Sequence, residues 1–482
     1  MDFEKYLEEI DNKKEELCGL ADSIWGFAET AYNETKSVEA MTEFLKKEGF
    51  TVTRPAYGIE TAFTARFGEG SPRIGILGEY DALAGLSQKS GVLEKDALIP
   101  GESGHGCGHN LLGVGSVSAA LSIKAYLQDG HKGTVIFYGC PAEEGGSGKA
   151  FMAKNGAFKD LDCALTWHPG TGNRVVTQSS LANFQVLYSF EGISAHAAGC
   201  PELGRSALDA VELMNVGCNF LREHMIDEAR VHYAIVNAGG FSPNVVQSNA
   251  KVLYLVRAPK QQQAFELLAR VDDIAKGAAL MTGCKHSRQF IKSCANTVLN
   301  NVMEEVLYQA MQDVGVPEYT DEERDLAKKY TETVPEGSDR EYEALTAACL
   351  EPENRKFMAE HKTDPLWDFI IPYEKKHPVK TEAGSTDVGD CSWQTPTAQI
   401  RTGTFAPMSP GHSWQIVSQG KSSVAHKGML FAGKSMALAG MRLMEDPELL
   451  MKAKEVFREQ TAGQKYIPIP EEIEPVALSS LY

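Results

Sequence analysis

The sequence predicts an α/β fold in two domains, the second inserted into the first. Three observations predict it. The 482 residues exceed what a single hydrophobic core usually organises. In the first part, apolar β-rich runs (RIGILGEY at 73–80, TVIFYGC at 134–140, DCALTWH at 162–168) alternate with helical patterns such as LLGVGSVSAALSIKAYL. Such alternation builds an open sheet whose ligands gather at the carboxyl ends of the strands. Around Leu181 the order changes to strand, helix, two strands, helix, strand, a β-α-β-β-α-β unit. The expected boundaries are 1–182 and 297–482 for the first domain and 183–296 for the inserted one.

Within that frame, Tyr6, Ile10, Leu17, Leu20, Ile24, Met41, Phe44 and Leu45 fall at helical spacing, which predicts two helices before Thr51. After Thr297 the run VMEEVLYQAMQDVG predicts a helix returning to the first domain, and the charged stretch 317–381 reads as a helical surface insertion. The inserted domain is expected to run from the strand ANFQVLYSFEG through two helices and two middle strands to CKHSRQFI. No internal repeat interrupts this order.

Composition narrows the function classes. With 43% hydrophobic and 23% charged residues the chain is of ordinary globular type. A net charge of -18 repels phosphate backbones and anionic lipid, so neither nucleic acid nor a membrane surface is an expected partner. The N-terminal MDFEKYLEEIDNKKEEL reads as a charged amphipathic helix without the apolar region of a signal peptide or a membrane span, which places the protein in the cytoplasm as an expectation. Ten scattered cysteines lack a disulfide framework and should be thiols there.

Four motifs carry chemistry. In PGESGHGCGHNLLG, Cys107 and His109 stand on a glycine-rich turn that opens a helix, where thiolate and imidazole can reach one ion; a buried Cys and a helix-start His would look the same. In CPAEEGGSGKA two adjacent carboxylates, Glu143 and Glu144, follow a buried strand and point in different directions. One can hold a metal while the other moves a proton, the division that metal-assisted hydrolysis needs. His168 follows an apolar strand in WHPG, and His412 lies in the Gly/Pro loop SPGHSWQ. Each motif alone has a bland structural explanation, but all four fall at strand ends or sharp turns of one predicted domain.

GEYDAL, GHGCGHNLLG, PAEEGGSGK, the His168 turn, SAHAAGCPELGRSALDA, NVVQSNAKVLYLVRAP and the His412 loop, in that order, resemble the metal-dependent peptidase/amidohydrolase family of aminoacylase, bacterial carboxypeptidases and the indole-acetyl-amino-acid hydrolases. The resemblance covers nearly the whole chain except about 317–381. It implies a zinc-peptidase-like catalytic domain with a ferredoxin-like lid and dimerisation domain. It also implies two divalent ions per chain, Mn2+ or Zn2+, about 3.5 Å apart. Cys107 would bridge, His109 and His168 would hold one ion, Glu144 and His412 the other, and Glu143 would be the general base. Other branches carry a His-x-Asp pair where this chain has Glu79 and Asp81, which leaves these two as supporting or weak ligands.

From the inserted domain, the resemblance assigns His196 to oxyanion stabilisation in the partner subunit's site, and Asn244 and Arg257 to substrate contact, Arg257 with a free carboxylate. His224 and His232 are left as structural. The implied reaction is hydrolysis of the amide of an N-acyl, above all aroyl, amino acid such as p-aminobenzoyl-glutamate. The implied assembly is a homodimer through the inserted domain, or a pair with a paralogous partner subunit. Three other readings stand beside it: a partner-dependent subunit, a small-peptide carboxypeptidase or dipeptidase, and a cysteine amidase using Cys107 and His109. The cysteine amidase leaves the carboxylates and further histidines unexplained.

Overall fold

The computed structural model describes residues 3–335, 337, 342–343, 345–346 and 349–477. The chain divides into two compact units, 1–178 with 298–380 and 391–463, and 179–297 with 381–390 and 464–482.

The first unit is built on a seven-stranded sheet of β1 (Thr51–Thr53), β2 (Phe63–Glu69), β3 (Arg73–Glu79), β4 (Gly133–Cys140), β5 (Cys163–Gly170), β6 (Arg174–Val175) and β11 (Thr397–Gly403). Its order is β1-β2-β4-β3-β5-β11-β6, with β4, β3, β5 and β11 parallel at the centre. Strand β3 is buried from Ile74 to Glu79, which is why its sequence reads as a continuous apolar run and does not alternate. The His109–Gln128 helix lies against this sheet so closely that glycine is required in it. A Cβ on Gly115 would stand 2.6 Å from the Trp167 ring, and one on Gly113 2.7 Å from the Glu79 carbonyl. Trp167 Nε1 donates to Leu112 O at 2.9 Å and Ser116 Oγ to Leu77 O at 2.6 Å, so the helix start is locked to the ends of β3 and β5. This is the one described helix long and apolar enough to cross a membrane, and it is a core helix.

Sequence and structure differ in places. Three helices precede Thr51 (Glu4–Asn12, Lys14–Phe27, Thr35–Lys47), because Lys13, at φ -105 and ψ 11, interrupts the first pattern. The stretch 317–381 contains the helices Asp321–Glu332 and Pro352–Glu360 and no strand among its described residues. Part of that expected insertion (336, 338–341, 344, 347–348) lies outside the described residues.

In the second unit, β7 (Ala182–Glu191), β8 (Arg230–Asn237), β9 (Asn249–Ala258) and β10 (Lys285–Cys294) form an antiparallel sheet of order β10-β7-β9-β8. Helices Ala207–Leu221 and Gln261–Thr282 complete the β-α-β-β-α-β order. Tyr254 O–H donates to Asn215 at 2.6 Å and Tyr188 O–H to Asp272 at 2.5 Å, so alternate residues of the central strands tie both helices to one face.

This unit also takes in 381–390 and 464–482, segments expected in the first domain. The reason is hydrogen bonding remote in sequence. Gln261 exchanges two 2.7 Å bonds with the Ile467 backbone, while Asp390 accepts from Ala295 N at 3.0 Å and from Tyr466 O–H at 2.8 Å.

Asp390 supplies a pH test of this packing. Burial pushes its carboxyl up to about 7, although the Ala295 and Tyr466 donors pull it down. Between pH about 4 and about 7 the native chain therefore holds a proton that the unfolded chain releases. Its contribution to stability is full below about pH 4 and is lost as pH rises to about 7. Asp390→Asn is expected to flatten that decline in urea midpoints measured across the window; parallel curves for both proteins would assign the decline elsewhere.

Candidate metal centre

The carboxyl ends of β3, β4 and β5 converge with two loops. Strand β3 delivers Glu79 and, two residues on, Asp81; the turn after β4 delivers Glu143 and Glu144; β5 carries His168 within it, running on to Gly170 because it pairs with β11. Gly108, at φ 75, makes the left-handed turn between Cys107 and the helix-opening His109, a conformation natural to glycine. Ala142 takes the same region at φ 59, and Glu143–Gly146 then forms one short helical turn. His412, at φ 56, is held by its N–H to Gly106 O at 2.9 Å, which ties the C-terminal loop to the Cys107 turn.

These residues assemble into overlapping groups. The ligand atoms of Cys107, His109 and His168 lie within 4.8 Å of one another, and so do those of Cys107, Glu144 and His412. Cys107 is thus common to both. A third group, Glu79, His109 and Glu143, meets the same limit. Within the groups Cys107 Sγ is 3.4 Å from His168 Nε2, and Glu144 Oε1 is 3.4 Å from His412 Nε2.

Supporting contacts aim the lone pairs. His168 Nδ1 donates to Pro169 O at 2.7 Å, which turns Nε2 toward Cys107. His109 Nδ1 lies 2.9 Å from Asp81 Oδ1, and Asp81 Oδ2 accepts from Glu144 N at 2.9 Å, so one carboxylate braces a member of each group. Buried Glu144 Oε1 lies 3.4 Å from His412 Nε2 and buried His109 Nε2 3.3 Å from Glu79 Oε2, contacts too long or too bent to satisfy either atom fully. Two buried, pre-aimed donor atoms beside a shared thiol fit divalent cations, and a set of one sulfur, three imidazoles and one carboxylate suits Zn2+ or Mn2+.

The electrostatics agree with an anionic centre. His412 is pushed up to about 10 by its hydrogen bonds to Cys107 and Glu144. Burial works to lower His109, yet Cys107 and Asp81 raise it well above its ordinary value. His168 goes the other way: burial, then the Arg401 and His109 charges, hold it far below the usual range, as a neutral imidazole.

The candidates of the inserted segment lie in the second unit. His196 is exposed, and its Nδ1 accepts from Ala198 N at 3.2 Å and Gly199 N at 3.0 Å. That fixes the hydrogen on Nε2, which is left to donate. Exposed Asn244 adjoins it, its carbonyl accepting from Ala197 N at 2.9 Å. Arg257, on β9, donates Nη1 to Ser385 Oγ at 2.8 Å, while its buried Nε has no partner. Among the described residues it makes no ion pair. His232 is exposed on edge strand β8 and His224 ends a short turn of helix; neither belongs to these groups.

The model of peptidase family M20/M25/M40 matches residues 75–475. The chain belongs to that family. It is 47% identical to a subunit of the p-aminobenzoyl-glutamate hydrolase of Escherichia coli (strain K12), over 97% of this chain and 98% of that protein. Two solved structures of the same fold are an aminobenzoyl-glutamate utilization protein from Klebsiella pneumoniae (TM-score 0.62, 16% identity, covering 92% of this chain and 98% of that one) and a dinuclear metal-binding peptidase from Bacillus subtilis (TM-score 0.52, 14% identity, 88% and 98%). Membership in the M20/M25/M40 family makes the protein a hydrolase of the metallopeptidase and amidohydrolase kind, in agreement with the resemblance read from its motifs.

The motifs did not point to Lys149. It stands in PAEEGGSGK immediately after the glycines, and its wholly buried ammonium lies 2.6 Å from Glu79 Oε1. The available signal was a lysine opening a helix directly behind a carboxylate pair.

Proposed function

We propose that this M20/M25/M40-family protein is a two-metal amidohydrolase that cleaves the amide of an N-acyl amino acid, with p-aminobenzoyl-glutamate as the expected substrate. The observation that carries the reading is the pair of ligand groups sharing Cys107, with Glu143 alongside. Cys107, His109 and His168 would hold one ion and Cys107, Glu144 and His412 the other. When bound, the ions supply Lewis acidity to the amide oxygen and acidify water.

The remaining work falls to the chain. Glu143 takes a proton from the attacking water and passes it to the leaving nitrogen. His196 donates Nε2–H to the developing oxyanion, Asn244 contacts the substrate, and Arg257 receives its carboxylate. The 47% relative supports the aroyl-glutamate assignment. Incubating the pure protein, reconstituted with Mn2+ or Zn2+, with p-aminobenzoyl-glutamate should release glutamate. No release from this or any other N-acyl amino acid would sink the reading.

We read the second unit, with its sheet order β10-β7-β9-β8, as a ferredoxin-like lid and dimerisation domain. Its edge strand β8 is exposed at Arg230, His232, Tyr233, Ala234 and Ile235, as a strand awaiting a partner would be. In the homodimer His196 acts in the opposite subunit's site. Mixing His196→Ala with Glu143→Ala protein should then restore part of the activity, because one hybrid site has both groups. No recovery after verified subunit exchange would confine His196 to its own chain or remove it from catalysis.

A second reading follows from the Escherichia coli relative, which is named as one subunit of its hydrolase: the chain works only with a paralogous partner. Glutamate release by the chain alone decides between the two.

Specificity rests on Arg257. Charge-assisted hydrogen bonds contribute about 1.5–3 kcal/mol, so Arg257→Met should lower kcat/KM for an acyl-amino acid by roughly 10–150-fold. A substrate with its carboxylate amidated should be poor for both proteins. An unchanged free-acid to amide ratio of kcat/KM would remove Arg257 from the substrate site.

A further inference from the structure

Three groups of potential ligands overlap at this centre, and two of them compete for one atom. His109 belongs both to the Cys107–His168 group and to the Glu79–Glu143 group, yet its Nδ1 is engaged by Asp81, which leaves only Nε2. Glu79 Oε2 is 3.3 Å from that nitrogen, so distance alone does not favour the thiolate side. The difference between the groups is a charge. Lys149, with no exposed side-chain surface, holds Glu79 Oε1 at 2.6 Å, and Glu79 itself is only 2% exposed. A buried ammonium is tolerable only when paired, so this contact is structurally fixed.

We propose that Lys149 determines which group binds metal: its ammonium engages Glu79, closes the Glu79–His109–Glu143 group to divalent cations, and so commits His109 to Cys107 and His168. A fixed positive charge on the carboxylate repels a divalent ion, and in a buried setting that repulsion is weakly screened. Glu79 keeps its place at the end of β3 as an outer carboxylate beside His109. Lys149 is on this account a positioning residue. Glu143 is also kept out of a third metal group, and remains available to move a proton. The inference rests on the two-metal reading above.

The test uses Co2+ as a spectroscopic probe, with metal content and visible absorption per bound ion as readouts. Wild type should take up about two Co2+ per chain, the number per active site usual for such centres. Lys149→Met should release Glu79 into the coordination sphere, giving weaker absorption per ion, as higher coordination produces, or a third bound equivalent. Lys149→Met/Glu79→Gln should restore the wild-type spectrum and stoichiometry. Glu79→Gln alone, which keeps an oxygen for Lys149, should leave both unchanged, and it decides the matter if Lys149→Met does not fold. An unaltered Lys149→Met centre, a change that persists in the double variant, or an altered Glu79→Gln spectrum would each overturn the proposal and leave the two-metal reading intact. A wild type that takes up no Co2+ would overturn that reading, and this one with it.

Discussion

Cys107→Ala is expected to lose most of its bound metal and all measurable turnover. The size of the effect follows from position. Cys107 Sγ is the one atom common to both ligand groups, so its removal leaves His109 with His168, and Glu144 with His412, as two-donor remnants. Two neutral imidazoles hold a divalent ion far less tightly than a site that includes a thiolate. Metal analysis of purified protein measures the loss directly. A chelator should reproduce it in the wild type, and activity should return on adding Zn2+ or Mn2+. This also separates the metal enzyme from a cysteine amidase built on Cys107 and His109. A thiol nucleophile would survive EDTA, whereas full activity in metal-free protein would refute the two-metal reading.

Much of this was readable before any coordinates, because the chemistry is local. A parallel strand buried on both faces announces itself as an unbroken apolar run, and β3, β4 and β5 did so. The residues at the carboxyl ends of such runs are where ligands gather, which points to Glu143, Glu144 and His168, whereas Glu79 and Asp81 are singled out only by the family resemblance. Less visible were features fixed by contacts distant in the chain. Strand β11, TAQIRTG, is short and mixed in polarity, and is a strand because it lies beside β5. Segments 381–390 and 464–482 join the second unit through Asp390 and Gln261, which no periodicity reveals. The Lys149–Glu79 pair was hidden likewise: a lysine after glycines reads as solvated until the Gly148–Lys154 helix is seen with Lys149 wholly buried.

The adjacent carboxylates give the second large expectation, since identical side chains one residue apart should fail in different ways. Ala142, at φ 59, starts a short helical turn in which Glu143 and Glu144 diverge. Glu144 Oε1 goes to the Cys107–His412 group, and its N–H is fixed on Asp81 Oδ2 at 2.9 Å. Burial opposes ionisation of this carboxyl, but the His412 hydrogen bond and the nearby His109 charge hold its pKa lowered, so it stands as an anion, the form a metal would need. Glu143 instead approaches His109 and Glu79 and belongs to neither of the two groups that share Cys107. Glu143→Ala should therefore keep its metal and lose roughly 10²–10⁴ in kcat, the usual contribution of a general base. Glu144→Ala should lose metal as well as turnover. Glu143→Gln adds a control for shape, retaining the side chain without its basicity, and should be nearly as slow as the alanine variant. Metal content and kcat measured on the same preparations decide the assignment. Equal metal loss in Glu143→Ala and Glu144→Ala would make both carboxylates ligands, and metal loss confined to Glu143→Ala would reverse their roles.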